Sequence, residues 1–139
     1  MTVQRYLRNI GNRTGTKKAC GEGGCGACTV VLADLDDSGQ LCYRTINSCL
    51  HPLPQLDGQA LITVEDLKAA DSEVHPLQQA LIDAHASQSG FCTLDLIMTL
   101  FDAIPVVGPL TARTNSGSFP TTGVSQPFGR VFFCPPVPR

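Results

Sequence analysis

Charge is scarce in this chain, and neither sign dominates: 10 Lys and Arg stand against 12 Asp and Glu in 139 residues, a net charge of −2. That balance removes the electrostatic case for nucleic acid or an anionic membrane as partner. No apolar run approaches the roughly 20 residues that cross a bilayer. The basic N-terminal stretch, with Arg5, Arg8, Arg13, Lys17 and Lys18, lacks the apolar segment of a signal peptide. Histidine is equally thin. Only His51, His75 and His85 occur, and of these only His51 lies close to a cysteine, Cys49. A Rieske centre needs two histidine ligands beside its cysteines, and no second Cys–His pair exists, so His51 reads as a loop residue. His75 and His85 lack partners at metal-ligand spacing and read as solvated or locally bonded. No side chain presents itself as a general base or nucleophile.

Cysteine and glycine are what the chain has in excess, with 7 and 13 residues. Cys20, Cys25 and Cys28 give the spacing C-x4-C-x2-C, and Cys49 follows later. This is the plant-type ligand pattern of a two-iron cluster. Gly21, Gly23, Gly24 and Gly26 interleave with these cysteines. Glycine lets a loop reach positive φ and brings amide N–H groups close to cluster sulfur. A four-cysteine zinc site is the rival, because zinc also takes four thiolates. Structural zinc sites pair two short knuckles, whereas only Cys25 and Cys28 form one here. Metal rather than disulfides suits this cysteine usage in a reducing compartment, which makes the expected location cytoplasmic.

In chain order, Val3, Tyr6, Leu7 and Ile10 share one helical face over residues 2–10, with Gln4, Arg5, Arg8 and Asn9 opposite and Gly11 as the stop. A core helix this early implies sequence before Met1. Thr29 to Leu35 predicts a strand, Asp36 to Gly39 a turn, and Leu41 to Ile46 the returning strand that delivers Cys49. Cys42, within that strand, reads as a small buried hydrophobe. Ala60 to Val64 predicts a short buried strand, followed by an acidic helix start at Glu65 and Asp66. Asp71 and Ser72 mark a boundary. Pro76 opens a second helix with Leu77, Ala80, Leu81 and Ala84 as its apolar stripe. Gly90 breaks it, and Thr93 caps a third helix with Asp95 in its first turn and Leu94, Ile97, Met98, Phe101 and Ile104 as its core face. From Pro105 to Arg139 there is no Asp, Glu or Lys, and seven prolines gather among Ser, Thr and Gly. That stretch predicts a disordered or loosely attached tail, with Cys134 standing alone.

With these residues in view, the chain resembles the iron–sulfur subunit of xanthine dehydrogenases and related molybdenum hydroxylases. Residues 14–31, T-G-T-K-K-A-C-G-E-G-G-C-G-A-C-T-V-V, are similar to the family's first-cluster loop. I-N-S-C-L at 46–50 resembles its fourth-ligand segment, L-I-T-V-E-D-L at 61–67 its closing strand, and residues 74–93 the approach to a second cluster. The resemblance implies an α+β fold: a β-grasp, ferredoxin-like domain over 1–68, a partial helical domain over 69–104, and the tail over 105–139. It also implies that Cys20, Cys25, Cys28 and Cys49 hold one [2Fe–2S] cluster. The implied partners are a molybdenum-cofactor subunit, which oxidises substrate, and an FAD-containing subunit or domain, which receives the electrons.

Several departures qualify that expectation. The family's strand pair before the first helix is not seen, so the Ala60–Val64 edge is expected to lie open. The family's Q-C-G-F-C-T-P-G stands here as Gln88-Ser89-Gly90-Phe91-Cys92-Thr93-Leu94-Asp95, with Ser89 in place of a ligand cysteine. The later C-R-C-T-G-Y segment is absent, leaving Cys92 alone of four ligands, so no second cluster is expected. Ala19 stands where the family usually has glycine, which asks only that this position avoid positive φ. The sequence thus supports an electron-transfer subunit of an oxidoreductase. Its alternatives are a truncated remnant that no longer completes the electron path, and a structural zinc module.

Overall fold

The computed structural model describes residues 1–35, 39, 41–68, 74–107, 124–126 and 129–133, with side chains described as far as residue 103. Helix α1 spans Val3–Asn9 and is capped by Thr2, whose side chain accepts from the Arg5 N–H. Strands β1 (Thr29–Leu35) and β2 (Leu41–Asn47) pair antiparallel in register, from Thr29 opposite Asn47 to Leu35 opposite Leu41. Of the expected turn between them, residues 36–38 lie outside the described residues. Strand β3 (Ala60–Ile62) adds antiparallel to the other side of β1.

β1 is buried from Thr29 to Ala33 and apolar from Val30 to Ala33, because that part is covered on both faces; Asp34 and Leu35 are exposed. Alternation sends Val30 and Leu32 to one side, where they pack with Val3, Tyr6 and Leu7 of α1 and with Leu53, Leu56 and Leu61. Val31 and Ala33 go to the other side with Ala60, Ile62 and Leu67, against Leu94, Ile97 and Met98. Those last residues belong to α3 (Cys92–Val107). The sheet is therefore sandwiched between α1 and α3, the α+β arrangement the sequence predicts. β3 ends at Ile62, and Val64 belongs to a 3-10 turn over Val64–Leu67.

That turn is held by Asp66, which is buried. Its carboxylate accepts from the Thr63 N–H and hydroxyl, each at 2.8 Å, and pairs with Arg13. Asp66→Ala strands the buried Thr63 N–H and takes the carboxylate partner from Arg13. It should lower stability by about 2–3 kcal/mol. Urea unfolding of the cluster-loaded protein checks this; a loss under about 0.5 kcal/mol, the scale of ordinary surface changes, would show the pair to be dispensable.

Several expectations are corrected. Gln4 is buried, not on a solvent face, because its side chain reaches across to the cysteine loop. Gly11 directly follows the Ile10 cap, where the stop is expected, but the left-handed conformation falls to Asn12, at φ 53. Cys42 is exposed, since alternation along β2 turns Leu41 and Tyr43 towards α3 and Cys42 away. Helix α2 (Pro76–Asp83) forms, capped by His75, but none of its residues is buried. Only Leu81 of its stripe packs, partly buried, on the core beneath α3. Thr93 lies inside α3, its hydroxyl 3.0 Å from that of Ser87, instead of capping the helix. The helix runs on through Pro105 to Val107, past the expected boundary at residue 104. The boundary at Asp71 and Ser72 lies outside the described residues.

The β3 edge is not open. Strand β5 (Gly129–Phe133) pairs parallel to it, with Ala60 opposite Phe132 and Leu61 opposite Phe133. Strand β4 (Val124–Gln126) pairs antiparallel to β5 and completes the order β2-β1-β3-β5-β4. Part of the tail expected to be disordered thus forms strands. Val131-Phe132-Phe133 is β-branched and aromatic, the composition that favours a pleated strand. The new edge, β4, has three residues, and a short edge offers little template for another chain.

Candidate iron–sulfur site

The cysteine loop is tied down at its start, its middle and its return. At the start, the Gln4 side-chain amide donates to the Lys17 carbonyl at 2.9 Å. Arg8 Nη1 donates to the carbonyls of Thr14 (3.1 Å) and Thr16 (2.8 Å). Gly15 N–H donates to Glu65 Oε1 at 2.6 Å, fastening this approach to the 3-10 turn held by Asp66. In the middle, Asn47 donates from its side chain to the Gly23 carbonyl at 3.0 Å. At the return, the Ser48 hydroxyl and N–H both donate to the Cys28 carbonyl, at 2.6 and 3.2 Å. Val3 and Gln4 N–H groups donate to the carbonyls of His51 and Ser48, so α1 also clamps the segment that carries Cys49.

Gly21, at φ +78°, needs glycine for its backbone conformation, and Gly23 and Gly26 need it for conformation and space together. Both have positive φ, +78° and +68°, and a Cβ at either would run into Leu50 or the Asp95 carboxylate. Gly24, by contrast, faces open space without positive φ, so only part of the glycine cluster is conformationally required.

The four cysteines stand as two pairs. Cys20 and Cys25 are exposed and adjacent; Cys28 and Cys49 are buried and adjacent. The Glu22 N–H, 3.4 Å from Cys20 Sγ, together with Cys25, lowers the Cys20 thiol to about 6. Burial pushes the Cys28 thiol up; the Cys49 backbone N–H works against this, while the Cys49 side chain adds to it. Among the described residues, no three His, Cys, Asp or Glu side chains converge to hold a single metal ion. A mononuclear zinc site needs four donors about 2.3 Å from one centre. A two-iron cluster divides four thiolates between two irons. Two adjacent pairs on one loop system fit the second requirement.

Other candidates stay outside this constellation. His51 contributes its backbone carbonyl, and burial first, then Arg44, lowers the pKa of its ring. His75 is locally bonded: its Nδ1 accepts from the Leu77 N–H at 3.2 Å, and burial lowers its pKa. Ser89 Oγ and Cys92 Sγ are exposed and 4.0 Å apart at the start of α3. Cys134 lies outside the described residues. Gln4, Asn47, Ser48 and Asp95 were not singled out as site residues by sequence. Only the adjacency of Asn47 and Ser48 to Cys49 could have signalled two of them.

Comparison with known proteins bears on the fold and the cofactor. Residues 1–53 match the 2Fe-2S iron-sulfur cluster binding domain, and residues 63–113 match the [2Fe-2S] binding domain family. Xanthine dehydrogenase 2 of Arabidopsis thaliana is 42% identical over 102 residues, which are 73% of this chain and 8% of that protein. Xanthine dehydrogenase of Blastobotrys adeninivorans is 44% identical over 101 residues, 72% of this chain and 7% of that protein. The chain thus spans under a tenth of these relatives. Among solved structures, quinoline 2-oxidoreductase from Pseudomonas putida 86 aligns with a TM-score of 0.59 at 33% identity, covering 71% of this chain and 55% of that one. Aldehyde oxidoreductase from Desulfovibrio gigas aligns with a TM-score of 0.63 at 27% identity, covering 76% of this chain and 11% of that one. No helix among the described residues is long and apolar enough to cross a membrane. The ferredoxin-like fold, the cysteine loop and both domain matches make this chain a [2Fe–2S] electron-transfer protein, homologous to the iron–sulfur region of the xanthine dehydrogenases and similar in structure to aldehyde oxidoreductases.

Proposed function

We propose that this chain is the electron-transfer iron–sulfur part of a xanthine dehydrogenase-like molybdenum hydroxylase, holding one [2Fe–2S] cluster through Cys20, Cys25, Cys28 and Cys49. The arrangement of these thiolates in two adjacent pairs carries the reading. Bound there, the cluster supplies one-electron redox chemistry. The chain's own residues do the rest: Asn47 and Ser48 fix the loop against Cys28 and Cys49, and the exposed pair faces solvent or a partner. Substrate oxidation belongs to a molybdenum-cofactor partner and electron acceptance to an FAD-containing one, in the reducing cytoplasm. Protein purified anaerobically should contain about two irons per chain with matching acid-labile sulfide. Four irons with two reduced-state EPR signals would overturn the single-cluster assignment, and a colourless zinc protein would overturn the cluster itself.

A second reading, a remnant that no longer completes the electron path, is favoured by one observation. The segment matching the second domain family places a serine hydroxyl, not a thiol, beside Cys92.

A further inference from the structure

Asp95 lies in the first turn of α3, where the helix dipole favours a negative group. Its carboxylate does more than cap the dipole. Oδ1 accepts from the Thr29 hydroxyl at 2.7 Å. That hydroxyl also lies 2.8 Å from the Gly26 carbonyl and 3.5 Å from Asn47 Oδ1; its single proton favours the carboxylate, the nearest acceptor and the only charged one. The carboxylate is also packed over Gly26, where a Cβ would run into it. Gly26 lies between Cys25 and Cys28, so a helix from the second domain segment touches the turn joining the two cysteine pairs. Among the described residues no Lys or Arg forms an ion pair with Asp95.

We propose that Asp95 is a positioning residue for the iron–sulfur site, clipping the Cys25–Cys28 turn to α3 and placing a fixed negative charge beside it that holds the reduction potential down. Reduction adds one negative charge to the cluster, and a carboxylate nearby opposes that addition. The clip also links the two segments mechanically, so movement of α3 is felt at the loop. The inference rests on the site binding the cluster proposed above.

Charge and clip can be separated. Asp95→Asn keeps an oxygen that can accept from Thr29 and removes the charge. Thr29→Val keeps the charge and removes the donor. EPR-monitored redox titration of the full chain should show a higher potential in Asp95→Asn. At the wild-type midpoint the reduced-to-oxidised ratio should rise about tenfold, or 59 mV for a one-electron couple. Asp102→Asn is the charge control: it removes the same charge from the same helix, but at the Thr45 N–H of β2, 3.2 Å away. Its shift should be less than a third of the Asp95→Asn shift. Thr29→Val should leave the potential nearer wild type but lose its visible absorbance to a chelator several-fold faster. An unchanged potential in a fully loaded Asp95→Asn protein would overturn the inference. So would an equal shift in Asp102→Asn, or chelator resistance unchanged in Thr29→Val. A wild-type chain that binds no iron would instead overturn the cluster assignment, so the two failures are distinguishable.

Discussion

Cys25→Ser should strip the protein of its visible absorbance and reduce bound iron from about two per chain to near zero. Cys25 is the appropriate residue because it is exposed. Its loss opens no cavity, whereas replacing buried Cys28 or Cys49 would disturb packing as well as ligation. It is also the cysteine shared by both short spacings of the loop, and it neighbours Cys20, whose thiol is lowered to about 6. A hydroxyl is a far poorer iron ligand at neutral pH, because the ligand must be deprotonated. Cys42→Ala is the matched control: Cys42 is equally exposed, but it lies on the outer face of β2. That variant should keep its colour. Iron content and absorbance after anaerobic reconstitution decide the matter. Retention of colour in Cys25→Ser would remove this residue from the ligand set, and loss of colour in a folded Cys42→Ala would redraw the set.

What the sequence made legible was whatever depended on local spacing. The cysteine loop, the paired strands before Cys49 and the helix at residues 3–9 are each set by residues a few positions apart. Errors arose where a distant segment decides the outcome. Gln4 reads as a solvent-facing residue by helical period, yet the Lys17 carbonyl draws it inward. Asp95 does stand in the first turn of α3, as the dipole favours, but its bond to Thr29, sixty-six positions earlier, lies beyond the reach of local spacing. Cys42 was misplaced because alternation gives two faces without saying which is covered; α3 covers the Tyr43 face. The apolar stripe of α2 is real as a pattern, but only Leu81 finds a packing partner in the core. The parallel pairing of β5 with β3 joins segments about seventy residues apart, and composition alone indicated a loose tail.

The second large effect concerns the assembly. In the family this chain resembles, electrons leave the molybdenum site and pass through two clusters in series before reaching the flavin. Here the helical segment matches the second-cluster domain family over residues 63–113. Its ligand turn, however, carries Ser89 where the family has cysteine. The Ser89 hydroxyl lies 4.0 Å from Cys92 Sγ, so the turn offers one thiol where the family's motif has two. Electron tunnelling falls steeply with distance, so an empty second site leaves a gap that the first cluster does not span. Mixed with competent molybdenum and flavin partners, the chain should therefore fail to support substrate-driven flavin reduction. Its first cluster should still accept an electron from a strong chemical reductant, because all four of the ligands proposed for that site are present in the sequence. Ser89→Cys alone should not restore turnover, since it brings the turn to two thiolates when four are required. Stopped-flow mixing with substrate provides the measurement. Flavin reduction at the rate of an assembly with both clusters would show that the second cluster is dispensable or comes from another chain.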